Sequence, residues 1–267
     1  MTVSRDVIAD LVAEGAEVDR LVADLTDAEW ELPTPADGWT VAHQVAHLAA
    51  TFRMAATAAG RPALFEAQLG QMGTDFNAAI QAVLMPYLEG PRSELKAKWR
   101  AERAGAEQAL TAVPAGQLVP WLVRSIPAPV LAAAGMMELF GHGQDIADTL
   151  GVKREHTDRL EALVEFITRV WDFGYHARGL AVPEVRFRFE ITSPSGALWA
   201  HGPADAEQRI SGSAADLCLL ATRRRHRDDL GLTAVGREAD HWLDIAQCYR
   251  GPAGPGRRPG QFADASR

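Results

Sequence analysis

The hydrophobic period of this chain changes near residue 180, and that change constrains the fold more than any other feature. Before it, apolar residues recur at helical spacing: Ile8, Leu11, Val12, Val18, Leu21 and Leu25 in one segment, and Phe76, Ile80, Val83, Leu84 and Tyr87 in another. A charged, alanine-rich stretch runs from Ser93 to about Ala112. The segment 129–150 begins after "IPAP", where a proline in the first turn lacks only an N–H that has no partner anyway, and it stops at Gly151. A further helix is expected over about 157–177. Together these predict a four-helix bundle with one connecting helix.

After "GLAVPE" the pattern alternates. In "VRFRFEI", Val185, Phe187, Phe189 and Ile191 point one way, while Arg186, Arg188 and Glu190 point the other, as in a half-buried strand. "SPSG" reads as a turn and "ALWAH" as the returning strand. A strand-like "QRISG", a helix near 213–224, a short "LTAVG" and a helix in "READHWLDIAQCY" follow. The class is therefore α+β, with a bundle over 1–152, a connecting helix over 153–180, a small α+β domain over 181–250 and a Pro/Gly-rich, loosely held tail over 251–267. The sequence contains no internal repeat.

Charge and cysteine usage exclude several classes. The chain carries 35 acidic against 27 basic residues, a formal net charge of -8. That balance repels a polyphosphate, and the one dense basic run, "RRRHR" at Arg223 to Arg227, is followed at once by two aspartates. It reads as a solvated helix end or a local anion contact. Cys218 and Cys248 form no CxxC and no metal spacing, as expected for a protein kept in a reducing cytoplasm. The N-terminal segment is amphipathic rather than a signal peptide. The most apolar stretch, 119–141, is interrupted by Arg124, Pro127, Pro129 and Glu138, which argues against a membrane span. The expected partner is a small-molecule substrate, with neither nucleic acid nor membrane, and a homodimer is compatible with the sequence.

The chemistry is concentrated in two segments. In "DGWTVAHQVAHLA" (37–49), Val41, Val45, Leu48 and Phe52 form one apolar stripe, and His43 and His47 project roughly opposite it. Thr40 is a fair N-cap, which puts His43 in the first turn, where the helix dipole favours a neutral imidazole. About ninety residues on, "MMELFGHGQDIADTLG" sets Glu138 and His142 four apart, with Asp145 one turn further. A Glu and a His on one helix with a His from another suit zinc or a similar divalent ion, and three protein ligands leave a position open for water or substrate. Spacing alone is weak evidence, since an i,i+4 Glu/His pair is usually an exposed surface pair.

The wording of these segments adds to their spacing. "GWTVAHQVAHLA" resembles the GWT(V)xxxxxHLA segment of the DinB-like, mycothiol-dependent maleylpyruvate isomerase superfamily, and "ELFGHGQDIADTLG" resembles its ExxxHxxDxAxALG segment. The C-terminal "LWAHGPADAEQRISGSAADLCLLATRRRHRDDL" and "AVGREADHWLDIAQCYRGPAGPGR" resemble one actinobacterial branch of that group, described as metal-binding proteins. The resemblance spans about residues 5–257. It implies a DinB-type four-helix bundle that holds a divalent metal, usually zinc, through His47, Glu138 and His142, followed by a small α+β domain. His43 stands where relatives more often carry an acidic or other polar residue. Support of a ligand or general-base work fits it better than direct ligation, because it lies one turn before His47. Asp145 and Gln144 are candidates for orienting ligands or substrate, whereas His176 and His201 lack a partner pattern and read as structural.

In this superfamily the metal commonly lowers the pKa of a low-molecular-weight thiol such as mycothiol, so the resemblance implies S-transfer or cis–trans isomerisation of a small electrophile. His43 or Asp145 would handle protons, and Arg178 or the 223–227 run would meet a substrate carboxylate. Two other readings use the same residues. One is a hydrolase or lyase acting through metal-bound water. The other is a non-catalytic metal- and ligand-binding protein whose Trp199 and Trp242 line an apolar site, although such residues are more often plain core.

Overall fold

The computed structural model describes residues 6–70 and 76–262. By its internal contacts the chain divides between Val152 and Lys153 into two compact units.

The first unit is helical. Its long helices are α1 (Val7–Leu21), α3 (Val41–Gly60), α6 (Arg92–Thr111) and α7 (Ala128–Leu150), with the shorter α2 (Asp27–Trp30), α4 (Pro62–Leu69) and α5 (Phe76–Leu88) between them. Helix α3 packs on α6, α7, α4 and α5, and α1 packs on α7 and α6. Local chemistry sets the starts. Asp6 accepts from the N–H groups of Ile8 and Ala9 at 3.1 Å, and Thr26 with Glu29 forms a reciprocal capping box for α2. Helix α7 ends at Gly151, whose φ of 66° is the left-handed conformation that glycine adopts without penalty.

The sequence shows one apolar stripe on α3, but the structure buries it nearly all round. Val41, Val45, Leu48 and Phe52 face the core, and Ala42, Ala46, Ala49 and Ala58 are buried as well. Alanines on the remaining faces let neighbouring helices approach closely enough to enclose it. Phe52 meets Trp99 edge-on with ring centroids 5.4 Å apart. At Gly135 on α7, an added Cβ would come within 2.9 Å of Leu11 Cδ1, so α1 and α7 meet where only hydrogen fits. Among the described residues, no helix is long and apolar enough to cross a membrane.

The second unit is a four-stranded mixed sheet with helices. Its elements are α8 (Leu160–Arg169), α9 (Phe173–His176), β3 (Phe187–Thr192), β4 (Leu198–His201), β5 (Gln208–Ser213), α10 (Ala214–Ala221), a 3-10 turn (Arg227–Asp229), β6 (Thr233–Val235) and α11 (Arg237–Ile245); a minimal ribbon, β1 (Leu118–Val119) with β2 (Ile126–Pro127), belongs to the first unit. Strand order is β4-β3-β5-β6. The predicted hairpin forms, with Phe189 opposite His201 and Ile191 opposite Trp199, and β5 runs parallel to β3 on its other edge. Phe187, Phe189 and Ile191 are buried, as the alternation requires. Trp242 is core, edge-on to Phe189 at 5.5 Å, whereas Trp199 is half-buried.

Three expectations are revised here. The helix expected over about 157–177 is broken: α8 stops at Arg169 and the short α9 follows. The Trp171 carbonyl, which a continuous helix would offer to the Tyr175 N–H, instead accepts the Trp242 indole N–H at 2.8 Å, and Tyr175 N–H turns to the Asp172 carbonyl. Helix α8 packs on α10 and β4, so it belongs to the second unit rather than standing apart as a connector. The tail is tied down through residue 262: Arg223 donates to the Gly254 carbonyl, Gly260 N–H to Asp229, and the Arg225 guanidinium lies 4.0 Å from the Phe262 ring centroid. Residues 263–267 of that expected tail lie outside the described residues, as do residues 1–5 at the start of the bundle.

The chain has three tyrosines, and all are held above the ordinary phenol value. Burial pushes Tyr87 up to about 12, and burial also raises Tyr175 and Tyr249. The folded chain therefore keeps these protons longer than the unfolded one, so their stabilisation is complete below the unfolded value of about 10 and is lost as pH rises towards the folded ones. Tyrosinate absorbance of the native protein should titrate at higher pH than that of the protein in denaturant, with the Tyr87 portion of the step furthest displaced.

Candidate metal centre

The loop before α3 closes on itself: Thr34 N–H donates to the Trp39 carbonyl at 2.7 Å, and Val41 N–H to that of Leu32 at 3.1 Å. This sets Trp39 at the helix entrance. Further along α3, His47 faces Glu138 and His142 of α7. His47 Nε2 lies 3.3 Å and His142 Nε2 3.2 Å from the same Glu138 Oε2, and the imidazole centroids are 4.5 Å apart. One ligand atom from each residue falls within 4.8 Å of the others. The side chains are 19%, 21% and 14% exposed for His47, Glu138 and His142, so the cluster is sheltered but reachable.

Burial alone would raise the Glu138 carboxyl, but its hydrogen bonds with His142 and His47 outweigh that and hold it far below the usual carboxylate range. Glu138 is an anion at any working pH. Trp39 walls the cluster, its ring stacked on His142 at 5.9 Å and 19° and tilted against His47 at 5.4 Å. The Thr51 hydroxyl, one turn beyond His47, lies 3.5 Å from His47 Nε2.

The donor set suits a divalent ion. Two ligands held about 2.0–2.1 Å from a tetrahedral zinc stand roughly 3.4 Å apart, close to the nitrogen–oxygen separations seen here. Two imidazoles and one carboxylate on two rigid helices make a three-ligand set, the kind that leaves room for a further ligand.

The other sequence candidates sit elsewhere. His43 caps its own helix: its Nδ1 accepts from the Thr40 N–H at 3.3 Å and lies 2.9 Å from the Thr40 hydroxyl, the place that Glu or Gln fills in a capping box. Burial, more than the nearby charges of Glu31 and Arg92, pushes its imidazole below the ordinary value. Asp145 is fully buried on α7, one turn past His142. Gln144 donates to Asp148 at 2.8 Å. In the second unit, His176 pairs with Asp172, and burial lowers His201. Arg178 donates to the Gly174 and Ile245 carbonyls, and Arg227 bridges Asp240 and Asp244, so both serve their own unit.

Sequence reasoning passed over Gln44, Thr34, Trp39 and Thr51. For Gln44 the signal was present: it is a polar residue inside the apolar stripe of α3, and it is completely buried. Its Oε1 lies 2.5 Å from His142 Nδ1, and its Nε2 donates to the Thr34 hydroxyl at 2.8 Å.

The sequence model of the mycothiol maleylpyruvate isomerase N-terminal domain matches residues 11–147, just over half of the chain and the whole segment that carries the cluster. The chain belongs to this family. An uncharacterized protein of Mycobacterium tuberculosis, in strain H37Rv and again in strain CDC 1551, is 39% identical over 250 residues, 94% of this chain and 97% of the relative. A second model, wyosine base formation, matches residues 183–235 in the sheet unit. Crystal structures of the mycothiol-dependent maleylpyruvate isomerase and of a histidine-to-alanine mutant of that enzyme share the fold, with TM-scores of 0.55 and 0.56 at 16% identity, over 85% of this chain and 91% of theirs.

Proposed function

We propose that this protein is a metal-dependent enzyme that activates a low-molecular-weight thiol, such as mycothiol, for S-transfer to a small electrophile or for its cis–trans isomerisation. Family membership supports a thiol-dependent isomerase-type reaction. The observation that carries the metal is the convergence of His47, Glu138 and His142 on one point. Those residues would hold a zinc or similar ion, which when bound lowers the pKa of a thiol placed on it.

The chain's own residues do the rest. Glu138 supplies the negative charge that keeps a cation in place and offsets part of its charge. Trp39 excludes water from one side and presents an apolar ring to the substrate. In this reading His43 handles a proton through Nε2, since Nδ1 is taken by Thr40, and its lowered pKa keeps it a neutral base at pH 7. Asp145, fully buried one turn past His142 on the same helix, would help to orient the ligands or handle a proton. The locale of such a protein is the cytoplasm, where low-molecular-weight thiols stay reduced, and its expected partner is a small substrate.

The test is a thiol titration of zinc-loaded protein by calorimetry. Saturable mycothiol binding that vanishes in metal-free protein supports the reading. Turnover of electrophilic or ester substrates without any thiol would overturn it in favour of hydrolysis by metal-bound water.

A further inference from the structure

The polarity of the hydrogen-bond chain behind His142 is fixed by counting protons. The Trp39 carbonyl accepts both the Thr34 N–H, at 2.7 Å, and the Thr34 hydroxyl, at 2.9 Å. A hydroxyl has one proton, so towards Gln44 the Thr34 oxygen can only accept. The amide of Gln44 must then present its NH2 to Thr34, at 2.8 Å, and its carbonyl oxygen to His142 Nδ1. A carbonyl oxygen cannot donate, so Nδ1 carries the proton. In the neutral ring Nε2 is then bare, and it is Nε2 that faces Glu138 Oε2 at 3.2 Å. Two acceptors at that distance repel unless a proton or a metal ion lies between them: the proton gives the Glu138 hydrogen bond described above, and a metal ion would take its place. Because Gln44 is fully buried, no water can take over its part.

We infer that Gln44 is a positioning residue: oriented by Thr34, it fixes His142 as the Nδ1–H tautomer and aims the Nε2 lone pair at the point shared with His47 and Glu138. The loop that ends in Trp39 thereby does two tasks, walling the cluster with the indole and setting its ligand chemistry through a backbone carbonyl. The effect on metal affinity rests on the metal-site reading above, whereas the tautomer does not.

The experiment therefore reads both. Full-length, metal-free protein with 15N-labelled histidine, held at about pH 8.5 so that an ordinary imidazole is neutral, is examined by long-range 1H–15N correlation, with His142→Gln to assign the signal. Wild type should show the Nδ1–H pattern at His142. Gln44→Met keeps the length and loses the acceptor, so the Nε2–H form should appear; Gln44→Glu keeps an acceptor and should retain Nδ1–H. Thr34→Val, a loop change that leaves the core filled, should also admit the Nε2–H form by releasing the amide. Zinc affinity from chelator competition should fall about 10–100-fold in Gln44→Met, the usual effect of losing an outer partner, and stay within about threefold in Gln44→Glu. An Nε2–H ring in wild type overturns the inference, as does a ring unchanged in both Gln44→Met and Thr34→Val. Wild type that shows Nδ1–H but binds no zinc sinks the metal reading and leaves the tautomer assignment standing.

Discussion

Alanine at His47 or Glu138 is expected to take the protein from about one zinc per chain to none, by elemental analysis after dialysis against a weak chelator. The two residues come from different helices, α3 and α7, and each supplies one of three donors around a shared point. Loss of a donor that touches the ion should exceed the roughly 10–100-fold effect of losing an outer partner. Glu138→Gln is the sharper variant, because it keeps shape and removes only charge, and it should lose the metal as well. Thermal unfolding gives an independent reading. A ligand held only by the native state at about a thousand times its Kd stabilises by about 4 kcal/mol. In a unit of this size that is roughly 10 °C in the transition of the helical unit. Zinc should therefore raise the wild-type transition and leave those of the variants where they were. A zinc-dependent shift that persists in Glu138→Gln would show the ion sits elsewhere.

Acid should reverse that stabilisation in a way that tells the ligands apart. Glu138 stays ionised far below the ordinary carboxylate range, so protonation of the carboxylate is not what releases the ion. The imidazoles must be deprotonated to bind. Affinity should accordingly fall with pH in step with two protons rather than three.

The two-part architecture was legible because periodicity is a property of many residues at once. The shift from helical spacing to the alternation of Phe187, Phe189 and Ile191 survives any single exception. The three candidate ligands were legible through wording and spacing, and the structure brings them to one point. What escaped depends on single contacts between residues far apart in sequence. The break after α8 leaves the Trp171 carbonyl to one distant indole N–H, on Trp242, a pairing that no local pattern announces. The anchoring of residues 251–262 follows from arginines that sequence could only count as a basic run. For His43 the place in the first turn was legible, but the bond from its Nδ1 to the N-cap of its own helix, which leaves only Nε2 for other work, depends on a side-chain rotamer that spacing does not specify. Gln44 was hidden for the opposite reason: it looked like an interruption of an apolar stripe, and its meaning lies in a loop hydroxyl ten residues earlier and an imidazole 98 residues later.

Gly202→Ala should be the most damaging glycine substitution in the sheet unit, and Gly196→Ala supplies its control. The two glycines flank β4 and have nearly the same backbone, φ 85° and 90°. At either site alanine meets the left-handed penalty of about 1–2 kcal/mol. At Gly196 a Cβ meets nothing within 4 Å, so that is the whole effect. At Gly202 the Cβ would overlap the carbonyl oxygen of Phe187 and crowd its carbonyl carbon, where β3 begins. Backbone cannot swing aside as a side-chain tip can, and forced overpacking adds about 1–3 kcal/mol or more. The displaced carbonyl belongs to a buried residue, and Gly202 itself accepts a hydrogen bond from the Arg188 guanidinium at 2.7 Å, so the β3–β4 register is strained from both sides. Denaturant unfolding followed by tryptophan fluorescence should show Gly202→Ala destabilised by at least about 2 kcal/mol more than Gly196→Ala. Equal losses would mean that φ alone governs both positions and that the strand end yields freely. A large loss only at Gly202 would mean that the close approach of two backbones, rather than the turn, holds the edge of this sheet.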